Sequence, residues 1–123
     1  MKNIQIIIAF LLSLNFSYSQ VNPLDVEIVR DNYGVPHIYG KTDADVAYGL
    51  AWAHSEDDFK TIQEAYLAGN GLLSKHIGLK GAPVDFISQL IRSDYVIDSL
   101  FDTIDKKFMK IAEAYAQGFN KFA

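Results

Sequence analysis

Residues able to do chemistry gather in two places. Arg30, Asp31 and His37 surround Asn32-Tyr33-Gly34, and His54 is followed closely by Glu56, Asp57 and Asp58. Carboxylates beside imidazoles suit acid–base work or metal ligation, and each reading makes a demand on spacing. A zinc helix of the His-Glu-x-x-His type needs two imidazoles one turn apart on one face. His54 has only acids nearby, and His76 stands alone. A calcium loop needs alternating oxygen ligands around a glycine, and no such loop is present. The acidic group therefore reads as a solvated or capping cluster. Nucleophilic catalysis finds no Gly-x-Ser-x-Gly elbow. Gly69-Asn70-Gly71 lacks the third glycine and the Lys-Ser/Thr pair of a phosphate-binding loop. What remains is Arg30-Asp31 at a strand end, read as an ion pair with main-chain hydrogen bonds that fixes the exit of a hairpin. His37 is read as a strand histidine with a satisfied hydrogen bond.

The elements that must carry these residues follow from period and turn signals. Val26, Ile28 and Arg30 alternate with Glu27, Val29 and Asp31, which predicts a strand. Asn32-Tyr33-Gly34 is a turn in which Gly34 takes positive φ without steric cost. Val35 to Tyr39 is the return strand, and Pro36, lacking an N–H for the ladder, sits at an edge or a strand start. Thr42 is placed to cap a helix, with Asp43 and Asp45 in its first turn where the helix dipole favours negative charge. Val46, Leu50 and Ala53 share one helical phase, while Phe59, Ile62 and Tyr66 share another, so a bend is expected near Ser55. Gly69-Asn70-Gly71 stops that helix. Leu72 to Ile77 is a short apolar piece, Gly78 to Pro83 a predicted loop, and Phe86, Leu90 and Ile91 mark a second helix. The clearest helix is the last, with Phe101, Ile104, Phe108, Ile111, Tyr115, Phe119 and Phe122 on one stripe. Burying its aromatic residues, at about 1.5 to 3 kcal/mol each, requires a partner surface larger than one hairpin and one helix offer.

Length and composition set the outer bounds. With 123 residues the chain has room for one small domain, and it shows no internal repeat or interdomain linker. Met1-Lys2-Asn3, the apolar run Ile4 to Leu14 and the polar Asn15 to Gln20 follow the three-part plan of a secretory signal peptide. That run is shorter than the about twenty apolar residues needed to span a bilayer. Ser17 and Ser19 place the cut after Ser19, giving a signal peptide over 1–19 and a mature part over 20–123, exported to the periplasm or beyond and without a stable membrane anchor. Cysteine is absent, which excludes both a lipidated N-terminus and disulfides. The mature part holds ten basic and fifteen acidic residues, net −5, a poor balance for nucleic acid.

Four segments in order carry a resemblance. Arg30-Asp31-x-x-Gly34-Val35-Pro36-His37-Ile38 is the most specific, and Tyr48-Gly49-x-Ala51-Trp52 then runs into Asp57. Gly71 and Gly78 follow, and Ala114-Tyr115-Ala116-Gln117-Gly118-Phe119-Asn120 comes last. From Val26 to Phe122 the chain resembles the opening of the penicillin acylase family of N-terminal nucleophile hydrolases. Many members place Arg after the helix Asp, whereas Asp58 follows Asp57 here. This reversed charge looks more like the acyl-homoserine-lactone and aculeacin acylase branch than the penicillin G branch.

The resemblance implies an α/β fold with a four-layer α/β/β/α core, of which this chain is an incomplete piece, one β-hairpin followed by mostly helices. It also implies self-cleavage into a small and a large chain, the large one beginning with a Ser whose own α-amino group acts as base. Such an amine, with a pKa near about 8, beside a hydroxyl provides an activated nucleophile. The matched region lies wholly in the small chain, so no catalytic residue is assigned, and Arg30, Asp31, Gly34, Pro36, His37 and Asp57 are a structural motif. No cofactor is expected in this chain; calcium is expected in the complete enzyme. The implied partners are the remainder of the acylase, with its nucleophile-bearing large chain, and a small acyl amide. Two functions are carried forward: the N-terminal part of an exported amide-bond acylase, inactive by itself, or a small secreted binding or inhibitory module without catalysis. The second must fold alone, whereas the first leaves apolar surface open for its missing parts.

Overall fold

A computed structural model describes residues 20–123, and the expected signal peptide over 1–19 lies outside the described residues. The chain enters through a 3-10 turn at Pro23–Asp25, capped by the Asn22 side chain, which accepts from the N–H of Leu24. Strands β1 (Glu27–Arg30) and β2 (Pro36–Tyr39) then pair antiparallel, Glu27 opposite Tyr39 and Arg30 opposite Pro36. The predicted hairpin is present, and its turn is built by Asp31. One carboxylate oxygen accepts from the N–H of Tyr33 at 2.8 Å and of Val35 at 3.0 Å, while Gly34 sits at φ 82°. Two strands are marginal in water without a surface to lie on. That surface is helix α1 (Asp43–Gly69), and Gly49 lets it come close: a Cβ there would stand 2.6 Å from Ile38 and 2.8 Å from Val26.

Helix α1 starts with a reciprocal cap. The Thr42 hydroxyl accepts from the Asp45 N–H, and the Asp45 carboxylate accepts from the Thr42 N–H at 2.9 Å. The predicted bend falls at Asp58 (φ −158°, ψ 70°), three residues beyond Ser55. Asp58 competes for the backbone as short polar side chains do. Its carboxylate accepts from the Thr61 N–H at 3.1 Å and hydroxyl at 2.6 Å, so the second half of α1 restarts with its own cap. The helix stops where expected, with Gly71 at φ 64°.

Helices α2 (Leu73–Ile77), α3 (Ala82–Ile91), α4 (Ser93–Leu100) and α5 (Lys106–Phe122) complete the chain. Three expectations need correction. Gly78 to Pro83 is not a loop but a 3-10 turn over Gly78–Gly81 leading into α3, whose first turn accepts Pro83 because an N–H there has no helical partner to lose. Helix α4 was not foreseen; Arg92, left-handed at φ 55°, separates it from α3. The last helix begins at Lys106 rather than Phe101. Asp105 caps it, accepting from the N–H of Lys107 at 2.7 Å and of Phe108 at 3.2 Å, and Ile104 is extended.

Helix α5 runs beside α1 in the same direction, with Lys107 paired to Asp43 at one end and Phe122 against Trp52 at the other. Small residues bring the two together: Ala47, Ala51 and Ala114 are buried. Gly118 lies directly on the Tyr48 carbonyl, and a Cβ there would stand 3.0 Å from that of Ala51. Beyond this crossing Phe59 stacks on Phe119 at 5.1 Å, and Trp52 meets Phe122 edge-on at 5.4 Å. Of the partner surface that the aromatic stripe requires, α1 supplies part: it covers the C-terminal half, while Phe101 and Phe108 stay half-exposed or more.

Candidate functional site

Where hairpin and helix meet, Arg30 projects from the end of β1 onto α1. Its guanidinium donates to the Gly34 carbonyl at 2.9 Å and the Ala53 carbonyl at 3.4 Å. It also faces Asp57 with both terminal nitrogens, at 2.8 and 3.4 Å, and reaches Glu56 at 3.2 Å. These bonds, to Asp57 first and Glu56 second, hold the guanidinium pKa above its ordinary value. The expected pairing of Arg30 with Asp31 is thus replaced, because neighbouring strand residues point to opposite faces. Arg30 is spent on the helix and Asp31 on the turn. Glu56 is itself oriented by the Trp52 indole N–H at 2.9 Å, which ties the cluster to the Trp52–Phe122 contact.

Asp31 and His37 do come together, Nε2 of His37 lying 3.2 Å from the second Asp31 oxygen. His37 first, then the N–H groups of Tyr33 and Val35, lower the Asp31 pKa from 3.8. The sign of its linkage follows: a depressed folded pKa contributes stability above the ordinary carboxylate range, lost as pH falls through the folded value. Protection of the Tyr33 and Val35 amides, relative to their intrinsic exchange at each pH, is expected to fall on acidification below about pH 4, before protection within β1 and β2 does. An equal loss of protection throughout the hairpin would count against a turn held by Asp31.

This arrangement positions; it does not react. A guanidinium cannot shed its proton in a protein, and the carboxylates around it are taken up by Arg30 and, for Glu56, by the Trp52 indole N–H. Ser55, the hydroxyl nearest the cluster in sequence, is buried and donates to the Ala51 carbonyl at 2.7 Å. Among the described residues no group of three or more His, Asp or Glu converges on a metal position. Asp25, Asp31, Asp43, Asp57, Asp58 and Asp85 each have partners of their own.

Exposed ion pairs contribute little to stability, but a two-pronged pair that also binds two carbonyls fixes direction as well as distance. Arg30→Lys is expected not to rescue what Arg30→Met loses, since one ammonium cannot span Gly34, Ala53 and Asp57 together. Limited proteolysis at residues 31–35 reads this out, and a lysine variant as resistant as wild type would sink it.

Sequence reasoning missed Asp85. Its two oxygens accept from the N–H of Leu73 at 2.7 Å and Ser74 at 2.8 Å, capping α2 from α3. A lone acid between Val84 and Phe86, inside an apolar helix, was the available signal.

Three of the four matched segments touch one another, and the fourth supplies turns. Arg30 meets Asp57, Gly49 meets Val26 and Ile38, Gly118 meets Tyr48 and Ala51, and Gly71 and Gly78 turn the chain at positive φ, 64° and 70°. A hairpin clamped across a kinked helix, followed by helices, is a partial piece of the N-terminal nucleophile hydrolase fold. Superposed on a thermostable penicillin G acylase from Alcaligenes faecalis it gives a TM-score of 0.71 at 24% identity, covering 79% of this chain and 52% of that one. Residues 25–123 match the profile of the family described as penicillin amidase, and the chain belongs to that family. It is 25% identical over 113 residues to the acyl-homoserine lactone acylase PvdQ of Pseudomonas putida, 84% of this chain and 15% of that protein. To the penicillin G acylase of Escherichia coli it is 27% identical over 99 residues, 78% of this chain and 11% of that protein. The chain therefore spans only about a seventh or less of these relatives.

Proposed function

We propose that this chain is the N-terminal part of the small chain of an exported acylase that hydrolyses the linear amide bond of an acylated amine, such as an N-acyl-homoserine lactone or a β-lactam. The observation that carries the reading is the packing of three family-matched segments against one another, which supports a scaffold role for residues 20–123. The nucleophile then belongs to polypeptide outside them, at the start of a second chain. Its hydroxyl attacks the amide carbon, its α-amino group takes the proton and passes it to the departing amine, and water releases the acid from the acyl-enzyme. The acidic Asp57-Asp58 pair supports the acyl-homoserine-lactone branch, with an apolar acyl group.

The test sets residues 20–123 beside the complete acylase, each offered acyl-homoserine lactones of several chain lengths and penicillin G. Only the complete protein is expected to release acid, since loss of even one oxyanion donor costs about a hundredfold or more. Enzyme-like release by residues 20–123, unaffected by replacing each Ser but abolished by unfolding, would overturn the scaffold reading. For export, the expected N-terminus of the secreted protein is at or within a few residues of Gln20, motivated by the apolar run and Ser17-Tyr18-Ser19. Mass spectrometry that finds Met1 retained after export refutes the cut.

A further inference from the structure

Helix α3 is built with its polarity reversed. Its polar residues face the protein: Asp85 is 6% exposed and caps α2, and the Ser88 hydroxyl donates to the Ala68 carbonyl at 2.6 Å. Its large apolar residues face out, with Phe86 65%, Ile87 51%, Leu90 66% and Ile91 64% exposed. Their spacing puts these four on one face. Water-facing helices of globular proteins are ordered the other way, so this one is made to be covered on both sides.

We propose that the outer face of α3 is a docking surface for the remaining polypeptide of the same acylase. This rests on the acylase reading above. The chain covers 52% of the Alcaligenes faecalis acylase chain and 15% of the Pseudomonas putida protein, so the complete enzyme has ample polypeptide to lay over this face. A membrane is the poorer occupant. Apolar faces that lie on lipid are rich in Lys and Arg at their border, whereas α3 and α4 hold Asp85, Asp94 and Asp98 and no basic residue. Arg92 between them lies 4.5 Å over the Tyr95 ring.

Cysteine is absent from this chain, so an introduced thiol reports one position of it. In the complete acylase, Leu90→Cys is compared with Tyr33→Cys, Tyr33 being 92% exposed on the hairpin turn, by labelling with a water-soluble maleimide and peptide mass analysis. The expected result is labelling at least about a hundredfold slower at position 90, independent of protein concentration and of added anionic vesicles. Leu90→Glu is expected to cut the yield of assembled soluble acylase about tenfold, with Tyr33→Glu at wild-type yield. Comparable labelling at the two positions overturns the proposal. So does protection that fades on dilution, which would mean a second copy, or that appears only with vesicles. An acylase that hydrolyses acyl amides with position 90 labelled freely loses the docking surface alone; one that hydrolyses none while position 90 stays protected loses the acylase reading alone.

Discussion

Gly118→Val is expected to prevent the protein from accumulating in folded form. A Cβ at this position would fall on the carbonyl oxygen of Tyr48, with the Tyr48 carbonyl carbon at 3.1 Å and the Ala51 Cβ at 3.0 Å. All three are backbone or directly attached to it, so no flexible side chain can swing aside. Helix α5 must then lift off α1, which breaks the Phe59–Phe119 stack and the Trp52–Phe122 contact. Overpacking alone costs about 1 to 3 kcal/mol, and exposing two phenylalanines adds roughly 1.5 to 3 kcal/mol each. Together these approach the about 5 to 15 kcal/mol that holds a domain folded. Gly69→Ala is the control, since nothing lies within 4 Å of a Cβ there. It is expected to be neutral or stabilising by about 0.5 to 1 kcal/mol. Soluble yield and thermal melts of the two variants decide the matter, and a Gly118→Val protein that melts like wild type would show that the helices are not in contact at this point.

Asp85→Ala is expected to lower the melting temperature by on the order of 10 °C. The variant leaves the N–H groups of Leu73 and Ser74 without their acceptor, Leu73 being buried under α3. Asp85→Asn keeps one acceptor oxygen and is expected to fall between. Hydrogen bonding from the Ser74 side chain first, then the N–H groups of Ser74 and Leu73, lowers the Asp85 pKa from 3.8 against the opposing effect of burial. Its folded pKa being depressed, the contribution is complete above the ordinary carboxylate range and lost as pH falls through the folded value. Below about pH 4 the wild type should therefore lose melting temperature faster than Asp85→Asn. Parallel acid profiles for the two proteins would remove Asp85 from the account.

Both predictions concern contacts that lie far apart in the chain, and that distance separates what could be read from what could not. The hairpin turn, the Thr42 cap, the restart at Asp58 and the stop at Gly71 are set by bonds between residues a few positions apart, such as Asp31 to Tyr33 and Thr42 to Asp45. Residue types and short spacings carry that information directly, and so the β-hairpin and the kinked helix were legible. The start of α5 was misplaced by the same logic, because the apolar period continues through Phe101 and Ile104 while Asp105 supplies a stronger local cap.

The sequence by itself determined the hairpin, the long helix, the aromatic periodicity of the last helix and, through four ordered motifs, membership of the penicillin amidase family. Only the tertiary structure decided that Arg30 takes Asp57 and Glu56 across 27 and 26 residues rather than its neighbour Asp31. It alone decided that Asp85 caps α2, that Gly118 seats α5 on Tyr48, and that α3 turns its apolar face outward. Each of these depends on which surfaces meet, and a side chain's type states what bonds it can make without stating which distant partner folding will bring within reach.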